Sequence, residues 1–485
     1  MQWNDAQIRA IQVNKGPALI LAGPGSGKTT VIVHRVQNLI RSYGVSPENI
    51  LVLTFTRAAA AQMRQRAVRL FGKDAEGVTY GTFHSVFYRI LKQEWNISED
   101  RVITQEKKME LLRQITALIP RGLSDGQLKK LEEEIGLLRR RTAEGKSLSS
   151  ELLTEQELRF VFDVYVGWLR RYDMVDYDEM IDRTKDLLLG NEKSRLAWRE
   201  RYKYILVDEF QDIDRQQYEL VRLLAHPADN LFVVGDDDQS IYGFRGAGTG
   251  IVQDFAKDYP KAARVLLAQN YRSTPQILYA AGQVIQNNRK RFAKKLVTKN
   301  PDGPRVQIRI YEDAAGEAIG MAAEIKKMLQ AGVPSREIAV LVRVNAQKKS
   351  LALALKKAGI EVQEEEEERE EGGQGAAAKP GQDKSRSAAA KSAGEENAQD
   401  ADRSGIRLLT MHGAKGLEFD KVFLPNVCEG LNPYRRAKTG EEIEEERRLF
   451  YVAMTRAKTG LVISWPKNMW NRSQEASRFI REMTD

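Results

Sequence analysis

Short, continuously apolar runs punctuate both ends of the first half of the chain: Ala18–Leu21, Ile50–Phe55, Tyr204–Val207, Leu231–Val234 and Val265–Leu267. They do not alternate with polar residues, which is the pattern of strands covered on both faces, and each adjoins a segment of helical period. This predicts a parallel α/β unit built from residues 1–90 and 191–272. Residues 91–190 read differently. Gln105–Ile119, Gln127–Arg141, Glu155–Tyr172 and Tyr177–Leu189 carry helical periodicity with no convincing strand, predicting a helical domain inserted into the first unit. A second strand set, Val306–Ile310, Ile338–Val342, Ile406–Leu409, Val422–Leu424 and Leu461–Ser464, predicts another α/β unit over 273–362 and 406–485. Its two halves are separated by Gln363–Gly405, which holds no Val, Ile, Leu, Met, Phe, Tyr or Trp. Such a stretch cannot offset the entropy of ordering, so a disordered tether is expected, with a solvated Ala- and Glu-rich helix as the competing reading.

Composition narrows the class. A chain of 485 residues is long enough for about two to four domains with ample core. The single cysteine, Cys428, excludes an internal disulfide and any cysteine-based metal cluster, as expected in a reducing cytosol. The N-terminal residues lack a secretory pattern, and no apolar run suits a membrane span, so a cytoplasmic protein without membrane contact is expected. The formal charge is +9, but residues 361–404 contain thirteen acids and six bases, a net of −7, leaving +16 on the rest. That excess points to a polyanion, most simply nucleic acid. Lys129, Lys130 and Arg139–Arg141 are candidate backbone contacts, with a solvated helix face as the preferred reading.

The chemistry begins after the first strand, at Ala22-Gly-Pro-Gly-Ser-Gly-Lys-Thr-Thr30. A strand, a glycine-rich turn and a helix starting near Lys28 aim backbone N–H groups at one point, which suits a nucleotide's phosphates. Gly25, Ser26 and Gly27 would form the cradle, Lys28 would reach the β- and γ-phosphates, and Thr29 would hold Mg²⁺. Ala22 stands where the strict pattern has its first glycine. Asp208 and Glu209 follow a buried strand, where one carboxylate can hold Mg²⁺ and its neighbour can deprotonate the attacking water. Gln239, in the acidic stretch after another strand, is placed to sense a γ-phosphate. Tyr242, Phe244 and Arg245 follow on the same loop, and the two aromatic faces suit unstacked bases.

These segments resemble a superfamily 1 helicase of the UvrD/Rep/PcrA type, co-linear from residue 3 to about 481. Asn4 and Gln7 resemble its adenine-reading glutamine motif. Thr54–Ala59, with Phe55, and Gly81–Ser85, with Thr82, Phe83 and His84, resemble two DNA-contacting motifs. Gln269–Ser273 resembles the motif whose Tyr271 stacks on adenine and whose Arg272 touches the γ-phosphate. Thr410–Phe419 resembles the motif whose Glu418 meets ribose and whose His412 meets DNA. Glu446–Ala457 resembles the motif whose Arg456 is an arginine finger. The resemblance implies two RecA-like motor domains with ATP and Mg²⁺ between them. It also implies a 3′-to-5′ translocase and helicase acting on single-stranded and 3′-tailed duplex DNA, in repair or replication. Phe244, Thr30 and Arg57 stand where relatives often have Trp, Arg and Asn, so Thr30 enters the nucleotide set as a weakened contact. The tether occupies the place of the family's usual accessory domain. Three other readings are a translocase that strips proteins with little strand separation, a phosphate-loop kinase, and a DNA-binding remnant without turnover.

Overall fold

The computed structural model describes residues 3–120, 122–143, 150–243, 250–364 and 405–484. Six strands, β1 (Ala18–Ala22), β2 (Ile50–Thr54), β3 (Thr79–Thr82), β4 (Tyr204–Val207), β5 (Leu231–Gly235) and β6 (Ala263–Leu267), form a wholly parallel sheet in the order β3-β2-β4-β5-β1-β6. Alternate side chains go to opposite faces. Leu19, Leu51, Leu53, Ile205 and Val207 join one buried cluster, while Ala18, Ile20, Ile50, Val52 and Leu206 join another. Burial on both faces explains why β1, β2, β4 and β5 read as unbroken apolar runs, whereas β6, at the sheet edge, buries only Val265 and Leu267 and departs from that expectation. The strand β3, Thr-Tyr-Gly-Thr at the sheet edge, has no such run, and its periodicity gave no warning of it.

Between β3 and β4 lie helices Phe83–Trp95, Gln105–Thr116, Asp125–Ala143, Glu155–Arg171, Tyr177–Gly190 and Glu192–Arg201. Leu112, Leu128, Leu131, Val161, Tyr165 and Leu169 form their own core. Here Arg139 corrects the expectation of an exposed basic face. It is buried, donating to Asp182 at 2.7 Å and also pairing with Glu179 and Asp176, because a buried guanidinium must be matched by carboxylates. Lys130 pairs with Glu151, and the side chains of Arg140 and Arg141 lie outside the described residues.

A small parallel pair, β7 (Gln269–Asn270) and β8 (Val297–Thr298), leads into a second sheet. That sheet comprises β9 (Gln307–Asp313), β10 (Ile338–Val342), β11 (Val362–Glu364), β12 (Ile406–Thr410), β13 (Phe419–Leu424), β14 (Ala457–Met469) and β15 (Arg472–Ser473). Its order is β11-β12-β10-β13-β14-β15, with β9 also on β14, and only β15 runs antiparallel. One finding cuts into the expected tether: Gln363 and Glu364 belong to β11, paired with Arg407 and Leu408. Backbone pairing needs no apolar side chain, so composition does not mark where it ends. The remainder of that segment, 365–404, lies outside the described residues.

Candidate functional site

The turn after β1 is shaped by two glycines in the left-handed region, Gly25 (φ +62°) and Gly27 (φ +83°), with Gly27 capping helix Lys28–Arg41. Ser26 Oγ donates to Gly23 O at 2.7 Å, tightening the loop from within. From outside, residues 270–272 clasp it. Asn270 Nδ2 donates to Pro24 O at 2.7 Å and Tyr271 N to Gly25 O at 2.9 Å. A Cβ on Gly25 would lie 2.7 Å from Arg272 Cβ, so this glycine is required by the close approach as well as by its φ. Gln7 Nε2 donates to Ser26 O at 3.2 Å, and Tyr271 Oη accepts from Asn4 Nδ2 at 2.8 Å. Gln7 and Tyr271 thus meet beside the loop although 264 residues separate them. Thr29 and Thr30 sit half-buried in the helix's first turn.

Lys28 Nζ is 3.0 Å from Glu209 Oε2. Glu209 occupies the left-handed region at φ +48°, and its backbone N–H bonds back to Asp208 Oδ1 at 3.0 Å. Burial and the neighbouring Glu209 charge push Asp208 up to about 7, against the opposing pull of Lys28. Burial also acts to raise Glu209, but Lys28 and Lys415 outweigh it and hold this carboxyl well below its usual range. The buried Asp208 carboxyl and the Thr29 hydroxyl are hard oxygen donors, so their chemistry fits a hard dication such as Mg²⁺. Gln211 Nε2 donates to Glu209 Oε2 at 2.6 Å while its Oε1 accepts from Asp236 N at 2.9 Å.

Three further cations reach the site, Arg272 from the junction after β7 and Arg456 and Lys415 from the second sheet's side. Arg272 Nε donates to Glu418 Oε2 at 2.7 Å. Arg456, almost wholly buried, gives Nη2 to Gln239 Oε1 at 3.4 Å and Nε to Val452 O at 2.9 Å. Burial, with the charge of Arg272 nearby, presses Arg456 down to about 9. Lys415 Nζ reaches Asp212 at 2.6 Å and Gln239 O at 2.9 Å. Lys415 was not among the residues expected at the site, although it lies in the 410–419 motif; its motif was recognised but its contacts needed the fold.

The expected DNA-facing residues divide. Phe55, at the end of β2, stacks on Tyr242 with ring centroids 5.4 Å apart and planes within 6°. His412 lies 6.5 Å from Tyr242, and Lys415 caps the same ring at 4.7 Å. Phe83 does not fit the expectation. Only 3% exposed, it is a core residue beneath the sheet, because the helix it opens turns that side chain inward. Thr82 caps that helix through Ser85 N, and His84 packs edge-on against Tyr177 at 4.9 Å. Phe244 and Arg245 lie outside the described residues. Asp236, Asp237 and Asp238 come close enough to hold a metal, but the Lys294 ammonium sits among them.

Comparison with known proteins agrees with this arrangement. The family model of the UvrD/REP helicase N-terminal domain matches residues 3–260, and that of the UvrD-like helicase C-terminal domain matches 265–369 and 387–468. The ATP-dependent DNA helicase candidate YjcD of Bacillus subtilis is 28% identical, over 98% of this chain and 80% of its own length. The ATP-dependent DNA helicases PcrA of Staphylococcus epidermidis and Staphylococcus aureus are each 36% identical over 74% of this chain. The chain spans about half the length of those two PcrA relatives, 50% in each case. The α/β sheets are therefore UvrD-type motor domains, and the chain belongs to the UvrD/Rep helicase family.

Proposed function

We propose that this chain is an ATP-dependent DNA helicase that moves 3′ to 5′ along single-stranded DNA. The observation that carries the reading is the convergence of Lys28, Asp208, Glu209 and Gln239 from the first sheet with Arg272, Arg456 and Glu418 around one phosphate loop. ATP would bind with its base between Gln7 and Tyr271 and its phosphates on the loop. Mg²⁺, held by Asp208 and Thr29, would neutralise charge building on the β- and γ-phosphates. Glu209 takes the proton of the attacking water. For this Lys28 must leave Glu209, and the γ-phosphate is the anion that would draw it away. Arg456 and Arg272 stabilise the transferring phosphoryl group, and Gln239 links that group to the loop bearing Tyr242.

Phe55 and Tyr242, with His412 beside them, support a track for unstacked bases, since an aromatic face accepts any base. Thr82 and His84 would border it. In this reading residues 1–90 with 191–272, and 273–362 with 406–485, are the two motors, 91–190 is the inserted domain, and the setting is cytoplasmic DNA repair or replication. Among the described residues no helix is long and apolar enough to cross a membrane. The experiment is ATP hydrolysis with and without single-stranded DNA, followed by unwinding of 3′- and 5′-tailed duplexes. Hydrolysis that ignores DNA would sink the motor reading, and preference for 5′ tails would reverse the polarity. Clearing a bound protein from DNA without unwinding would mark a translocase that strips proteins.

A further inference from the structure

The segment between helix Pro275–Ile285 and β8 has no part in the functional reading above, yet it is built into the site. Its Arg291 donates Nε and Nη2 to Asp238 at 2.8 and 2.7 Å. Phe292 N donates to Asp237 Oδ2 at 2.6 Å. Lys294, whose side chain is 1% exposed, places Nζ 2.6 Å from Asp236 Oδ1 and 3.0 Å from Asp238 Oδ2, and also pairs with Asp237. Leu296 then packs against Gly23, where an added Cβ would come within 2.5 Å of it. Four residues, Arg291, Phe292, Lys294 and Leu296, therefore tie this segment to the two loops that would surround the γ-phosphate.

Asp236 is the branch point. Its Oδ2 accepts from Gln239 Nε2 at 2.6 Å, which fixes the amide so that Oε1 faces Arg456. Its backbone N–H donates to Gln211 Oε1, and the other end of that amide donates to Glu209. Both the proposed base and the proposed γ-phosphate sensor are thus oriented through one aspartate. Three buried carboxylates in sequence would repel one another, and Asp236 is fully buried, so its position depends on a cation that water cannot replace. Among the described residues, Lys294 is the cation that touches all three. Resting on the helicase reading, we propose that Lys294 is a positioning residue: through Asp236 it sets the Gln239 amide toward Arg456 and so tunes ATP turnover without touching ATP.

The test uses the full chain in four forms: parent, Lys294→Met, Gln239→Ala and the double variant. DNA-stimulated ATPase is measured with kcat and KM separated, and thermal unfolding is measured alongside. Lys294→Met should lower kcat by roughly tenfold or more with KM for ATP held within about threefold, the split expected when binding survives and transition-state alignment is lost. Added to Gln239→Ala, it should cost less than about twofold more, because both changes break one chain of contacts. Losses that multiply in the double variant, or a normal kcat in Lys294→Met, would overturn the proposal. Should Lys294→Met not fold, Lys294→Met/Asp237→Asn restores the charge count without the contact to Asp236 and carries the same comparison. If neither folds, Lys294 belongs to the fold and the positioning role is wrong. A parent whose hydrolysis does not respond to DNA would instead remove the helicase reading, and with it the role for Gln239 on which this one stands.

Discussion

Glu209 carries two constraints that the proposed role as base would account for. Its left-handed backbone costs roughly 1–2 kcal/mol for a residue with a Cβ, and its carboxylate is held by Lys28, Gln211 and the field of Lys415. Glu209→Gln keeps the shape and removes the proposed base. ATP analogue binding should persist, while turnover falls by at least about a hundredfold. A variant that turns over like its parent would assign the base elsewhere. Asp212 makes a second prediction at this scale. Burial, against the opposing pull of Lys415, pushes its carboxyl up to about 6 from the ordinary 3.8. The folded state therefore binds this proton more tightly than the unfolded chain does. The stabilisation is complete below 3.8 and is lost as pH rises through about 6. Asp212→Asn lacks that loss, so its stability relative to the parent should improve between about pH 4 and pH 7, by on the order of 2 kcal/mol. Denaturant midpoints of both proteins at the two pH values check it; a constant gap between them would contradict the shift.

At the scale of elements, function collects where parallel strands end. Phe55 leaves β2, Asp208 and Glu209 leave β4, Asp236 to Tyr242 leave β5, and the phosphate loop leaves β1. All of these loops emerge on one edge because every strand of the sheet runs the same way. That shared edge brings the aromatic pair and the phosphate loop onto one side of the sheet. Tyr242→Ala should weaken single-stranded DNA binding by roughly 1–3 kcal/mol while leaving DNA-independent hydrolysis largely intact. Tyr242 is only half-buried and Phe55 is 37% exposed, so the fold should survive, and circular dichroism would reveal it if not. DNA affinity that does not change would take Tyr242 off the track. Phe83, next to His84 in the same motif but deep in the core, shows the converse: a motif residue can serve by packing the element that presents the others.

Across the whole molecule, polar contacts join the two sheets, beside Ile241, which leaves β5 and is buried in the second sheet's core. Arg456 to Gln239, Lys415 to Asp212 and Arg448 to Ser240 O each join the second sheet's elements to loops of the first. Such contacts can be exchanged as the sheets move, which is what a cycle of closing on ATP and reopening requires. The lowered proton affinity of Arg456, caused by burial and by Arg272, is a charge awaiting an anion. Arg456→Ala should leave nucleotide affinity modestly changed and cut hydrolysis by roughly 10³ or more. The loss of its bond to Leu417 O takes a donor from that carbonyl, while Val452 O keeps the Thr455 hydroxyl, so a melting curve must accompany the kinetics. Parental hydrolysis in a folded Arg456→Ala would mean the site is not completed by the second sheet.

The α/β class and most strands were legible because burial on both faces leaves an apolar run that no other short element needs. The phosphate loop was legible too, since a left-handed turn opening a helix demands Gly25 and Gly27 at fixed spacing. Two edge strands, β3 and β11, escaped, because an edge can be held by backbone pairing alone, whereas the edge strands β6 and β9 kept enough apolar residues to be read. The inward turn of Phe83, the burial of Arg139 among carboxylates and the seat of Lys294 among three aspartates were decided by tertiary structure alone. Each depends on which residues distant in sequence share a small volume. A lysine among other lysines and arginines at 289–295 carries no sign of the charges it will meet. Local sequence specifies the conformation of a turn or strand, because sterics act between neighbours. The partner of a buried charge is chosen only when the chain closes and excludes water, so that pairing becomes the least costly way to keep the charge.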